Sequence, residues 1–157
     1  LTRAVLTRAV LTGAVLTDAV LTGAVLTDAV LTHAVLTGAV LTDAVLTPIK
    51  NDMFIVLLHS IPEIKFLRQN IIDGKIDGST YDGECACLSG TLVNGAVKSN
   101  GPQQETVVGN IMKCRDSSRP IERFFLSIKV GDTPENSQFS KLALEWVDEF
   151  LMLINRP

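Results

Sequence analysis

The chain has 157 residues, 17 acidic against 14 basic, for a formal net charge of −3. That balance lacks the basic excess of a nucleic-acid binder working by counterion release, which argues against nucleic acid as a partner. Its three cysteines, two of them spaced C-x-C, are an odd set that does not suit a secreted disulfide framework, so the expected setting is reducing and cytoplasmic. The length accommodates two units: a repetitive tract over residues 1–50 and a remainder over 51–157 long enough for its own core.

The tract reads Leu-Thr-x-Ala-Val from Leu1-Thr2-Arg3-Ala4-Val5 onward, with only x varying until the last unit, Leu46-Thr47-Pro48-Ile49-Lys50. A helix advances about 100° per residue, so a period of five carries successive leucines about 140° around it and leaves no apolar stripe. A straight strand alternates its side chains with period two, so an odd repeat would throw Leu to opposite faces in turn. A membrane span fails because Arg3, Arg8, Asp18, Asp28 and Asp43 interrupt the tract. What satisfies the pattern is a chain that bends once per pentad and points Leu the same way each time, a β-solenoid. Leu1 stands in mid-pattern without a preceding Met, which gives the expectation that earlier pentads precede it.

Rephased, each unit is Ala-Val-Leu-Thr-x, as in Ala9-Val10-Leu11-Thr12-Gly13. In this form the tract resembles the pentapeptide-repeat proteins, whose unit has a small residue two before a central Leu or Phe. The resemblance implies a right-handed quadrilateral β-helix with four pentads per coil, Leu and Ala facing in, and Val, Thr and x facing out. Residues twenty apart would then stack: Arg8 with Asp28, Gly13 with His33, Asp18 with Gly38, and Arg3 with Gly23 and Asp43. The family often has Asp or Asn before the central residue, whereas this tract has Val, which makes the outer faces apolar. Some members mimic DNA and bind type II topoisomerases; that use needs a long acidic rod, and here the charges of Arg3, Arg8 and Lys50 offset those of Asp18, Asp28 and Asp43.

Beyond Pro48, Asn51 or Asp52 can cap a helix over 53–59, and Ser60-Ile61-Pro62-Glu63 has the spacing to start a second one ending at Gly74. Residues 73–101 hold repeated Asp-Gly and Asn-Gly pairs, the last being Asn100-Gly101, and predict hairpins through Glu84–Leu88 and Thr91–Val93. A second reading of residues 76–98, through Gly78, Gly83, Leu88 and Val93, continues the solenoid. Residues 105–113 predict a strand through Val107, Val108 and Ile111. Residues 122–130 predict another, with Phe124, Leu126, Ile128 and Val130 on one side. Thr133 and Pro134 would open a long helix whose Phe139, Leu142, Ala143, Trp146, Val147 and Phe150 recur at three and four. The expected fold is therefore the β-solenoid stub followed by a small α+β domain.

No residue of the chain stands out as catalytic or cofactor-binding, and no cofactor is implied. Asp73, Asp77, Gly78 and Glu84 echo a calcium loop, but Lys75 occupies a ligand position and no helix pattern follows Glu84, so Asp-Gly turns explain them better. Cys85, Cys87, Cys114 and His59 are candidate zinc ligands, and Cys85 or Cys87 with His59 a candidate nucleophile and base; against both stands the tendency of free cysteines to be buried core residues. The expected function is a non-enzymatic structural or protein-interaction module, whose partner is another protein or a second copy held through the repeat tract. A thiol- or metal-dependent enzyme in residues 51–157 is the alternative from another class.

Overall fold

The computed structural model describes residues 1–99 and 104–155. Within residues 1–46 each pentad closes a turn, in which the amide of Ala donates to the carbonyl of Leu three residues back, as in Ala4 N to Leu1 O at 3.0 Å. The variable residue sits at the third position of that turn with φ between 55° and 70°, from Arg3 to Asp43. Turns of this kind need a left-handed residue there, which suits the three glycines, while Asp tolerates it better than most residues. Successive layers join at an interval of twenty residues. Leu6 N donates to Val25 O at 2.8 Å, and Val25 N donates to Ala4 O at 2.9 Å. The pairing Val5–Val25, Val10–Val30, Val15–Val35, Val20–Val40 and Val25–Val45 is parallel and one residue wide at each step.

That width corrects the expected fold. A β-helix is built of strands, and among the described residues there is no strand and no sheet, only isolated bridges. The reason lies in the pentad itself. Four of its five residues are spent on the turn, so only Val is extended enough to pair, and pairing cannot propagate to its neighbours. Leucines and alanines from Leu21 to Leu41 are buried in the interior, whereas the valines between them stand outward.

Residues 51–157 are also not α+β: the described part is helical, with a single bridge between Ile76 and Ala86. Helix α1 (Thr47–Leu58) follows the last turn directly, with Pro48 in its first turn, where a missing amide costs nothing. A 3₁₀ turn (Ile61–Glu63) leads into α2 (Ile64–Ile72). Gly74 closes α2 at φ 66°, with Lys75 N donating to Asn70 O at 2.8 Å and Gly74 N to Ile71 O at 3.3 Å, the paired bonds of a Schellman cap. Helices α3 (Leu88–Ser99), α4 (Gln104–Lys113), α5 (Pro120–Phe125) and α6 (Gln138–Ile154) complete the described elements. Helix α3 packs on α2 and α4, α2 on α6, and α1 on α5 and α6. Buried side chains from Leu21 in the repeat tract to Phe150 in α6 form one connected apolar cluster.

Further expectations are overturned. Residues 88–99 are neither hairpin nor continued solenoid but α3, in which Gly90 and Gly95 are points of close approach: a Cβ on Gly90 would collide with Tyr81 O, and one on Gly95 would press on the Phe66 ring at 3.0 Å. Residues 105–113 belong to α4 rather than a strand. Residues 122–130 are α5 and its exit turn: Ile121, Phe124, Phe125 and Ile128 are buried at helical spacing, while Leu126 and Val130 are exposed. The long helix does form, but four residues after Thr133, with Ser137 as cap accepting from Ser140 N. Asp52 caps not its own helix but α5, accepting from Ile121 N at 3.1 Å while it pairs with Arg119 at 2.6 Å. The expected Asn100-Gly101 turn lies outside the described residues.

Candidate functional site

The groups with chemical potential gather where the loop after α2 meets α5. Gly78 N donates to Ile128 O at 3.0 Å, and a Cβ on Gly78 would strike Phe125 O, so glycine lets this loop lie flat on the end of α5. Cys87 N donates to Thr80 O at 2.8 Å and fixes the other side of the loop. Between them is a cavity of about 180 Å³ whose lining includes Ser79, Tyr81, Cys87, Ser117, Glu122 and Arg123.

Glu122 is the unusual member. It is 4% exposed, and its Oε1 has no hydrogen-bond partner. Burial raises its carboxyl above the ordinary 4.5; Cys87 and Ser89 beside it, and the charges of Arg119 and Arg115, act the other way. A buried carboxyl oxygen without a partner is costly, because neither water nor protein replaces its hydration. Arg123, the next residue along, has a buried Nε that is likewise unpartnered, while its Nη2 donates to His33 O at 3.4 Å. Burial also pushes the Cys87 thiol up to about 11, with the charge of Glu122 adding to the effect, and its sulfur lies 3.5 Å from Ser89 Oγ. At neutral pH this sulfur is a thiol, not the thiolate a nucleophile needs. Tyr81, lifted to about 12 mainly by burial, also keeps its proton. The cavity thus offers hydroxyls, one carboxyl and one guanidinium.

Of the candidate zinc ligands only Cys87 lines this cavity, and of the calcium-loop set only Gly78. Cys85 is half-buried, Cys114 is buried, and all three cysteines are free. His59 is exposed at the end of α1, with Nδ1 2.8 Å from Ile55 O. Among the described residues no three His, Cys, Asp or Glu side chains are grouped to hold a metal ion. The calcium-loop carboxylates are engaged locally: Asp73 with Gln69 at 2.7 Å and Lys75 at 3.1 Å, and Asp77 with the backbone and hydroxyl of Ser79. Glu122, Ser117 and Arg123 escaped the sequence reading. The available signal was Glu122 itself, a lone acid set among Ile121, Phe124 and Phe125.

The second feature is the outside of the repeat tract, where Val10 stands over Val30 and Val20 over Val40. The family model for pentapeptide repeats matches residues 1–38 and 24–47, in eight copies. Residues 1–47 are a pentapeptide-repeat segment. The match covers just under a third of the chain and stops where α1 begins. No curated protein and no solved structure matches the chain. Among the described residues no helix is long and apolar enough to cross a membrane. In the pentapeptide-repeat segment, taken in units of Ala-Val-Leu-Thr-x, Arg8 and Asp28 go with the row of Val5, Val25 and Val45, and Gly13 and His33 with that of Val10 and Val30.

Proposed function

We propose that the chain is a non-enzymatic protein-interaction module that associates with a second copy of itself through the outer rows of its pentapeptide-repeat segment. The observation that carries this is the exposure of the stacked valines: Val10 at 76%, Val30 at 44%, Val20 at 47% and Val40 at 37%. The backbone ladder holds these rows at a fixed spacing, so little ordering entropy remains to be lost on contact. Burying one valine is worth about 1.5 kcal/mol or more, and rows of them give a repeated gain. The neighbouring face, with Val5, Val25 and Val45, carries Arg8 in one layer and Asp28 in the next. Two copies related by a two-fold axis would set Arg8 of each against Asp28 of the other, the self-complementarity an isologous contact requires. Residues 1–50 supply the surface, and residues 51–157 serve as the helical base on which it is built.

Light scattering on the full chain tests this. The wild type is expected to run as a dimer and the Val10→Lys, Val30→Lys double variant as a monomer. A wild type that stays monomeric at high concentration overturns the proposal.

A further inference from the structure

We propose that the gap between the last pentad and α6 is a docking slot for an extended peptide carrying a basic residue, which continues the ladder for one more step. One layer earlier, Gly23 N donates to Thr42 O at 2.8 Å and Ala24 O accepts from Val45 N at 2.8 Å. Asp43 N and Ala44 O are the equivalent groups twenty residues on, and among the described residues nothing bonds to either. In every layer the Ala carbonyl and the amides of Leu and x point onward to the next layer. Ala39 O and Leu41 N, beside the open pair, meet the Gln138 amide of α6 in that direction. Asp43 N and Ala44 O therefore point toward α6 as well. Between them and the helix lies a cavity of about 540 Å³, whose lining includes Asp43, Ala44, Lys141, Leu142, Glu145 and Trp146. It runs on past Val45 and Leu46 into an adjoining space of about 180 Å³ that shares Ala44, Leu142 and Trp146. The slot occupies the place that a further pentad would take.

The backbone pattern selects a peptide over a compact ligand. Thr42 and Val45 are three residues apart, so the occupant must offer a carbonyl and, three residues on, an amide N–H. Open N–H and C=O groups at a ladder edge are a template for such pairing. Charge selects the side chain at x. The x residues lean over the next layer: a Cβ on Gly23 would lie 3.4 Å from Arg3 Cγ, and one on Gly38 would strike the Asp18 carboxylate. By the same step Asp43 leans over the slot. Glu145 lines the slot too, so two carboxylates stand against one lysine, Lys141. Lys50, on the adjoining side, is taken by Glu149 at 2.9 Å. A peptide with arginine at x, as in the unit from Leu1 to Val5, meets this acidic excess, whereas glutamate there is repelled. Leu142 and Trp146 give its apolar side chains a floor.

Fluorescence anisotropy of a labelled acetyl-Leu-Thr-Arg-Ala-Val-Leu-Thr-amide peptide, titrated with the full chain, tests this. The peptide is expected to bind. N-methylation of its valine removes the N–H meant for Ala44 O and should weaken it roughly 10-fold. Glutamate in place of its arginine should weaken it about fivefold. Asp43→Arg should invert that preference; arginine already stands at the same φ in Arg3 and Arg8, and unchanged far-ultraviolet circular dichroism confirms the fold. Should that variant not fold, Glu145→Lys makes the comparison from the other wall of the slot. Three results overturn the proposal: no binding at millimolar chain, equal binding of the parent, N-methyl and glutamate peptides, or a preference that the charge reversal does not move, which puts the peptide elsewhere. If the peptide instead breaks up a dimer of the chain, the occupant is a second copy and the separate partner falls.

Discussion

The side-chain amide of Gln138 does for Leu41 and Ala39 what the backbone of Val40 does for Leu21 and Ala19 one layer earlier. Val40 accepts from Leu21 N at 2.8 Å and donates to Ala19 O at 2.9 Å. Gln138 accepts from Leu41 N at 2.9 Å through Oε1 and donates to Ala39 O at 2.6 Å through Nε2. A primary amide has the same donor and acceptor pair as a peptide unit, so the first residue of α6 finishes the ladder where no further pentad follows. Ser118 O plays a similar part, accepting from His33 N at 3.0 Å, where Thr32 O accepts from Gly13 N in the layer above. Such edges otherwise invite pairing with other chains. Gln138→Leu keeps the bulk but leaves both backbone groups unpaired, so it should cost about 1–3 kcal/mol in urea unfolding. A loss under a few tenths would show that water replaces the amide at no cost.

The left-handed position in each pentad makes a second prediction. Asp28 has φ 56°. Glycine takes that conformation freely and a β-branched residue does not. Asp28→Val should therefore destabilise by about 1–3 kcal/mol, and Asp28→Gly should be close to neutral. Thermal unfolding of the two variants beside the wild type decides it; equal melting temperatures would mean that the turn is not under conformational control.

The tract was legible because periodicity alone excludes both helix and straight strand, and the interval of twenty follows from the resemblance to pentapeptide repeats. Its local geometry was written in the same letters. Three of the nine x residues from Arg3 to Asp43 are Gly and three are Asp, the signature of a turn position with positive φ. What misled was taking a repeat that pairs between layers to mean strands. Residues 88–99 were misread for a different reason. Gly90 and Gly95 look like turn punctuation, yet each sits inside α3 because another element comes too close for a Cβ. The candidate site was not legible as a site. It joins the 78–81 loop, Cys87, Ser117 and α5, and no local spacing announces that these meet.

Residues 121–130 show how one apolar run supports two periods, and mutation separates them. A strand would bury Phe124, Leu126, Ile128 and Val130 together. The helix buries Ile121, Phe124, Phe125 and Ile128, with Phe124 5.0 Å from Trp146 and 5.2 Å from Phe139 between ring centroids. Phe124→Ala should cost about 3–5 kcal/mol. Leu126→Ala and Val130→Ala should stay within about 0.5 kcal/mol, as exposed substitutions do. Large losses at 126 and 130 in denaturant melts would restore the strand.

Protonation of Glu122 gives the last prediction, and its sign is set by burial. The folded chain holds this proton more tightly than the unfolded chain, because burial raises the carboxyl above its ordinary 4.5. Over the pH range from that value up to the raised one, the folded state binds more protons, so this group's contribution is present at low pH and lost as pH rises. The lowered carboxyls of Asp73, Asp77 and Asp116 act in the opposite direction, losing their contribution as pH falls through their folded values. Glu122→Gln removes only the first effect and leaves those three unchanged. Taken as the difference between variant and wild type, their contributions cancel. Urea midpoints are compared at about pH 4, just below the ordinary carboxyl value, and at about pH 8, well above it. The Gln variant should match the wild type most closely at the lower pH and gain on it at the higher one. A difference that does not change with pH would mean that Glu122 titrates alike in the folded and unfolded chain, and that its buried oxygen is solvated after all.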